Sequence, residues 1–246
     1  MASAPPVSRR VVFLTGSTSG IGEATARYFA ARDWTVIVNS VRSVEAGLAL
    51  ADELGGHYVQ GDVGAEGSAA EMIDRVLAHR GRLDALVNNA GVTKVVAHQD
   101  LEALDRQTWR DIFEVNVFGT FELSRAALPA LREHAGAIVN VGSIAGLRQT
   151  GSSIPYAASK AALHHVTTLL AKVVGPEVRV NAVAPGLIDT PWTADWDVVR
   201  GFVQALAPLK RSGSPEDVSD VIYTLATNTY ITGQVIAIDG GLTLTV

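Results

Sequence analysis

Short runs of apolar and β-branched residues alternate with longer stretches of helical periodicity from one end of the chain to the other. Val11–Leu14, Thr35–Val38, Tyr58–Val59, Ala85–Val87, Ala137–Val141, Arg179–Val183 and Val235–Ile238 are the candidate strands. Most are apolar throughout rather than alternating, the pattern of parallel strands covered on both faces. The segments between them suit helices. That βαβ rhythm predicts a doubly wound α/β domain, a parallel sheet of about seven strands with helices on both faces. No linker rich in Pro, Gly or Ser and no internal repeat interrupts it, so residues 9–246 read as one domain behind a short frayed tail at 1–8.

One long helix is expected from about Tyr156 to Val174. Leu163, Val166, Leu170 and Val173 would form its buried stripe, and Gly175-Pro176 would stop it. The stretch Leu187–Ser214 breaks the rhythm. It follows a predicted strand, where such sheets bind ligands, and it carries Trp192, Trp196, Val198, Val199 and Phe202. It reads as an apolar lid over a binding site, with Leu147 and Ile154 at the same mouth.

Composition narrows the function classes. With 48% hydrophobic and 18% charged residues the chain can bury a large core, which excludes a disordered protein. A net charge of −5 without blocks of like charge argues against nucleic acid or an anionic membrane as partner. The absence of cysteine rules out disulfides, thiolate metal sites and thiol nucleophiles. The six histidines form no H-E-x-x-H pattern. The first ten residues lack the apolar run of a secretory signal, and no span is long and apolar enough for a membrane helix, so a cytoplasmic protein is expected.

Directly after the first strand comes Thr15-Gly16-Ser17-Thr18-Ser19-Gly20-Ile21-Gly22, followed by a helical segment. Glycines there let the chain turn sharply and bring backbone N–H groups close to a pyrophosphate at a helix N-terminus. The centre of Gly16–Gly20 is Thr18, so this is no G-x-S-x-G nucleophile elbow, and no Gly-Lys-Ser/Thr follows to make a P-loop. Tyr156 and Lys160, four apart, share one face of the predicted helix. An ammonium beside a phenol favours the phenolate, giving a general acid or base near neutral pH. Ser143 follows the strand Ala137–Val141 at its carboxyl end, where ligands bind. Asn116 lies inside the apolar helical pattern Trp109–Phe121 and needs a partner if buried.

Thr15–Gly22, Asn88-Asn89-Ala90-Gly91, Asn116-Val117-Phe118-Gly119, Ser143, Tyr156-Ala157-Ala158-Ser159-Lys160 and Pro185-Gly186 stand in the order and at about the intervals of the short-chain dehydrogenases/reductases. The resemblance spans nearly all of residues 8–246, and six motifs in register are highly specific. Within that family the chain is most similar to the 3-oxoacyl-(acyl carrier protein) reductase group. The resemblance implies a Rossmann-type oxidoreductase moving a hydride between a nicotinamide and a carbonyl or secondary alcohol. Tyr156 would be the acid/base, Ser143 would hydrogen-bond the same substrate oxygen, Lys160 would hold the nicotinamide ribose and tune Tyr156, and Asn116 would hold a relay water behind Lys160. Gly16, Ser19, Ile21 and Gly22 would bind the pyrophosphate side, Asp62 and Val63 would flank the adenine, and Asn89, Ala90 and Gly91 would line the cofactor. Pro185, Gly186, Ile188 and Thr190 would fix the nicotinamide.

Two departures bear on specificity. Ser19 stands where NADP-using relatives often carry a basic residue, and the segment Ala226–Tyr230 looks about two residues shorter than in many acyl carrier protein reductases. NAD-specific relatives usually end the second strand on an acidic residue, where this chain has Ser40, followed by Arg42. Without a carboxylate to repel a 2′-phosphate, and with a guanidinium to pair with it, NADP(H) is favoured over NAD(H). The expected substrate is a small carbonyl or alcohol, free or linked to a carrier protein or coenzyme A. Two rivals are a non-catalytic dinucleotide-binding regulator and an extended-family epimerase, for whose extra substrate domain 246 residues leave no room. The apolar segment Ile231–Val246, with Asp239 its one charge, points to a homo-oligomer, expected to be a tetramer.

Overall fold

The structure, a computed structural model, describes residues 9–245; the tail expected at 1–8 lies outside them. Seven strands form one parallel sheet: β1 (Val11–Leu14), β2 (Thr35–Ser40), β3 (His57–Gln60), β4 (Ala85–Asn88), β5 (Ala137–Val141), β6 (Arg179–Pro185) and β7 (Val235–Ile238). Their order is β3-β2-β1-β4-β5-β6-β7. The direction of winding reverses between β1 and β4, so the crevice at their carboxyl ends is the place for a ligand.

The continuous apolar strands have a direct structural reason. In β1, Val11 and Phe13 face one side and Val12 and Leu14 the other, and all four are fully buried. On the first side the sheet packs against α3 (Ser68–Arg80), α5 (Thr120–Arg132) and α6 (Ile154–Val174), through Met72, Val76, Leu123, Leu131 and Val174. On the second it packs against α1 (Gly20–Ala30), α2 (Val44–Glu53) and α8 (Pro215–Thr227), through Phe29, Leu50, Val218 and Ile222. A strand sandwiched in this way has no polar face to show. The remaining helices are α4 (Arg106–Phe113) and α7 (Asp197–Leu206).

Two local findings shape the site. The expected helix around Asn116 is α4 and α5 joined by a π-helical segment, Glu114–Gly119. Such segments frequently occur at functional positions, and this one contains Asn116. In α6 the expected stripe is rotated. Lys160, Leu163, Thr167, Ala171 and Val174 are buried, whereas Val166 and Leu170 are half-buried and Val173 is 70% exposed. Apolar residues occur nearly all round this helix, so their spacing alone does not choose a face. The inward choice is made by polar partners: Asn140 Nδ2 donates to Thr167 Oγ1 (2.9 Å) and Lys160 Nζ to the Val141 carbonyl (2.8 Å).

The segment 187–214 leaves the sheet and returns. It contains α7, and its two ends are joined by backbone hydrogen bonds from Asp189 N to Gly213 O and Gly213 N to Leu187 O, both 2.9 Å. The Asp189 carboxylate holds Arg200 (3.0 Å) and Ser212 (2.5 Å) across the same neck. Among the described residues no helix is long and apolar enough to cross a membrane.

Candidate active site

The glycine-rich turn leaves β1 and enters α1 at Gly20. Gly16 has φ +58°, a left-handed conformation that favours glycine, and a methyl group there would lie 2.9 Å from Ala90 Cα. One on Gly22 would lie 2.4 Å from the Gly16 carbonyl. The turn is clamped to the segment after β4. Thr15 Oγ1 accepts from the N–H groups of Asn89 and Ala90 (both 3.0 Å), and Asn89 Nδ2 donates to the carbonyls of Thr15 (3.0 Å) and Gly16 (2.8 Å). Asn39 braces it from β2, its Oδ1 accepting from Gly16 N (3.2 Å) and its Nδ2 donating to Val59 O and Gly61 O (both 3.0 Å). Ser19, at the start of α1, is exposed and does not cap the helix with its own side chain. Orphan N–H groups of the first turn thus point at the crevice, an arrangement suited to an anion.

On the other side of β4 the structure brings Ser143, Tyr156 and Lys160 together. Ser143 caps a short 3₁₀ turn, Ile144–Gly146, its Oγ accepting from Ala145 N (3.1 Å). Ser153 caps α6, with Pro155 in its first turn, so the Tyr156 ring leaves the helix close to its start. The Ser143 side chain lies close enough to the Tyr156 hydroxyl to favour its ionised form. Lys160 Nζ lies 5.7 Å from the Tyr156 ring centroid. Burial raises the Tyr156 pKa above that of a free phenol, and the nearby Ser143 hydroxyl opposes it without reversing it. Lys160, expected to favour the phenolate, does not offset that rise. Burial also pulls Lys160 down, from 10.5 to about 8. Its ammonium has three donors and uses one on Val141 O, leaving two for another acceptor.

Asn116 is fully buried and fully engaged. Its Oδ1 accepts from Val92 N (2.9 Å), and its Nδ2 donates to Val92 O and Ser159 Oγ (both 3.0 Å). Ser159 in turn donates to the Tyr156 carbonyl (2.7 Å), so Asn116 locks the first turns of α6 to the segment after β4. A methyl group on Gly91 would lie 3.3 Å from Asn116 Oδ1 and 3.5 Å from Lys160 Nζ, which puts all three side by side.

The other expected residues ring the crevice. Ser40 ends β2, nearly buried, with its Oγ 2.9 Å from the Tyr58 hydroxyl. Arg42 is exposed in the turn before α2, and its guanidinium makes no hydrogen bond or ion pair with the described residues. The Asp62 carboxylate accepts from Gly64 N (2.9 Å), while the Val63 side chain packs into the core. Ile21 is half-buried against the core on the α1 side. Pro185 ends β6, Gly186 N donates to Ile238 O (2.9 Å), and Ile188 is buried at the neck of segment 187–214. Thr190 reaches the glycine-rich turn, since a methyl group on Gly20 would lie 3.1 Å from its Cγ2. In segment 187–214, Trp192, Val198, Val199 and Phe202 are exposed rather than packed onto the domain. Leu147 and Ile154 line a cavity of about 390 Å³ with His98 and Ala161, but neither Ser143 nor Tyr156 borders it. Arg148 Nε donates to the Thr243 carbonyl (3.2 Å).

Sequence reasoning missed several residues that hold this site. Thr15 and Asn39 carry no chemistry and matter only through the bonds above. Asn88, Asn140 and Thr167 form a buried chain across β4, β5 and α6, with Asn88 Nδ2 donating to Asn140 Oδ1 (2.8 Å). His164 is buried beneath the Ser143 loop: its Nε2 would touch a methyl group on Gly142, and its Cε1 one on Gly146. Burial and then the charge of Lys160 push its pKa down to about 4, so the ring is neutral. The one signal for these was an excess of polar residues at positions that periodicity assigns to the core.

A family model described as enoyl-(acyl carrier protein) reductase matches residues 16–243. The chain belongs to the short-chain dehydrogenase/reductase family and is an oxidoreductase with its single Rossmann-like domain. It is 49% identical over 239 residues to a Streptomyces violaceoruber protein named ketoacyl reductase 2 of the granaticin polyketide synthase, covering 94% of this chain and 95% of that one. It is 37% identical to a 3-oxoacyl-[acyl-carrier-protein] reductase of Thermotoga maritima, over 96% and 98% of the two chains. It is 38% identical to cis-4-hydroxycyclohexanecarboxylate dehydrogenase of Sinomonas cyclohexanicum, over 96% and 97%. Among solved structures, ElxO with NADP bound superposes with a TM-score of 0.87 at 31% identity, over 96% of this chain and 99% of the other.

Proposed function

We propose that this oxidoreductase is an NADP(H)-dependent carbonyl reductase with Tyr156 as general acid, acting on a 3-oxoacyl thioester or another apolar ketone. The observation that carries the reading is the Lys160 ammonium 5.7 Å from the Tyr156 ring, with Ser143 near the same hydroxyl and the glycine-rich turn closing onto Ala90 beside them. The residues present fit a dinucleotide. The uncapped start of α1 suits its pyrophosphate, and the two unused donors of Lys160 suit ribose hydroxyls. When bound, the reduced nicotinamide supplies the hydride.

The chain's own residues do the rest. Ser143 Oγ and the Tyr156 hydroxyl converge on the substrate oxygen, polarising the carbonyl and holding the charge that develops there. Tyr156 gives its proton to that oxygen. The raised pKa of the buried phenol keeps the proton in place until it is needed, and Lys160 limits the cost of the phenolate left behind. Asn116 positions the turn that carries Tyr156 and Lys160 and, in this reading, the relay water behind them. Asp62 and Val63 bound the adenine end, and Pro185, Gly186, Ile188 and Thr190 the nicotinamide end.

The carrier-linked ketone is favoured by the relative at 49% identity, whose name is that of a ketoacyl reductase. The hydroxycyclohexanecarboxylate dehydrogenase at 38% keeps a free cyclic ketone in view as second substrate class. The exposed apolar side chains of α7 suit either. A homotetramer fits the exposed apolar residues of the last segment, Ile236 and Leu244. The test is Tyr156→Phe, assayed with NADPH and an apolar 3-oxo thioester. General acid catalysis contributes ~10²–10⁴-fold, so turnover should fall by that factor while NADPH affinity stays near wild type. A variant that keeps most of the wild-type rate ends the assignment.

A further inference from the structure

The carboxyl end of β2 carries a feature that the reading above leaves unused. Tyr58, on β3, lies on the same sheet face as Ser40, because parallel register pairs Val38 with Tyr58 and Ser40 with Gln60. Its hydroxyl is 2.9 Å from Ser40 Oγ and 3.3 Å from the Ser40 carbonyl. Two hydroxyls in contact need only one proton between them. The other points at a carbonyl beyond the usual range for an O–H donor, so it is available to a stronger acceptor.

The position of this ring is built, not incidental. Gly47 lies inside α2, where a glycine is about 0.5–1 kcal/mol less favourable than alanine. A methyl group there would stand 2.3 Å from Tyr58 Cε2 and 2.6 Å from Cδ2. The glycine thus makes room for the tyrosine ring at the expense of the helix, and its backbone N–H is already satisfied by Ser43 O (2.9 Å). Arg42, two residues beyond Ser40, brings a guanidinium with no protein partner among the described residues.

We propose that Tyr58 is a specificity-determining residue for the 2′-phosphate of NADP(H), donating its hydroxyl proton beside Ser40 and Arg42. The inference rests on the NADP(H) reading of this site. In a doubly wound domain the carboxyl end of the second strand faces the adenosine ribose, so a 2′-phosphate arrives beside the Ser40–Tyr58 pair, with Arg42 two residues further along the chain. A phosphate takes such donors in charge-assisted bonds, roughly twice as strong as those to the neutral ribose hydroxyl of NAD(H).

Tyr58→Phe removes the proton and keeps the ring against Gly47. Dissociation constants for NADPH and NADH are measured on the full chain by calorimetric titration without any carbonyl substrate, with the wild type and Arg42→Ala alongside. Losing a hydrogen bond to a charged group should raise the Kd ratio of NADPH to NADH by about tenfold. Gly47→Ala, which gains helix propensity while displacing the ring, should move the ratio the same way. A wild type that prefers NADPH, with a Tyr58→Phe ratio within about twofold of it, overturns the role of Tyr58 and leaves the cofactor reading standing. A wild type that prefers NADH overturns both.

Discussion

Lys160 is a buried charge that the fold penalises, and replacing it with methionine separates its cost from its use. Burial alone lowers its pKa from 10.5 to about 8. At about 1.4 kcal/mol per unit, that difference costs roughly 3 kcal/mol of stability at neutral pH. Lys160→Met removes the charge and keeps the length of the stem. It also strips the Val141 carbonyl of its donor, which returns about 1–3 kcal/mol of the gain. The net expectation is a nucleotide-free variant at least as stable as the wild type, by up to about 2 kcal/mol, or ~4–8 °C in Tm for a chain of this size. The pH dependence supplies the check. Below about pH 8 folded and unfolded states both hold the proton and the penalty is full. Between about 8 and 10 mainly the unfolded chain holds it, so wild-type stability rises with pH there, and the variant lacks that rise. Above about 10 the raised pKa of Tyr156 acts in the opposite sense, because the unfolded phenol ionises first. Thermal unfolding of the nucleotide-free proteins at pH 7, 8, 9 and 10 reads both effects. A variant that melts several degrees lower at pH 7, with wild-type stability falling from pH 8 to 10, refutes the reasoning. Turnover should be lost in the variant whatever its stability.

Two further expectations follow from the same geometry. Arg42→Ala should raise the KM for NADPH by about tenfold and leave that for NADH nearly unchanged, since its guanidinium, without a partner among the described residues, is open to charge-assisted pairing with a phosphate; an unchanged ratio makes it a plain surface charge. Light scattering at micromolar concentration should report a tetramer, because Ile236 at 36% and Leu244 at 82% exposure leave the last segment uncovered in one chain; a monomer contradicts it.

What the sequence disclosed, and what it hid, divides along one physical line. Strand positions were readable because a strand buried on both faces is mostly apolar, and β1, apolar throughout, and β5, apolar but for Asn140, fall where the pattern puts them. Ser143, Tyr156 and Lys160 were readable because local spacing sets their relation: a strand end, a helix start and one helical turn. The face of α6 was not, since Val166, Leu170 and Val173 satisfy the helical period as well as Leu163, Thr167, Ala171 and Val174 do. That choice is decided by Asn140 and the Val141 carbonyl on β5, which no local pattern connects to α6. Thr15 and Asn39 were hidden for the same reason: each earns its place by bonds to a strand or loop twenty or more residues away. Ser40 and Arg42 could be singled out as neighbours in the chain. Tyr58 could not, because it reaches Ser40 only through the parallel register of β2 and β3, and Gly47 admits its ring from a helix whose sequence reads simply as a weak spot. Residues related by local spacing announce themselves by type and interval, whereas those related only through the sheet become visible when it brings distant segments into contact.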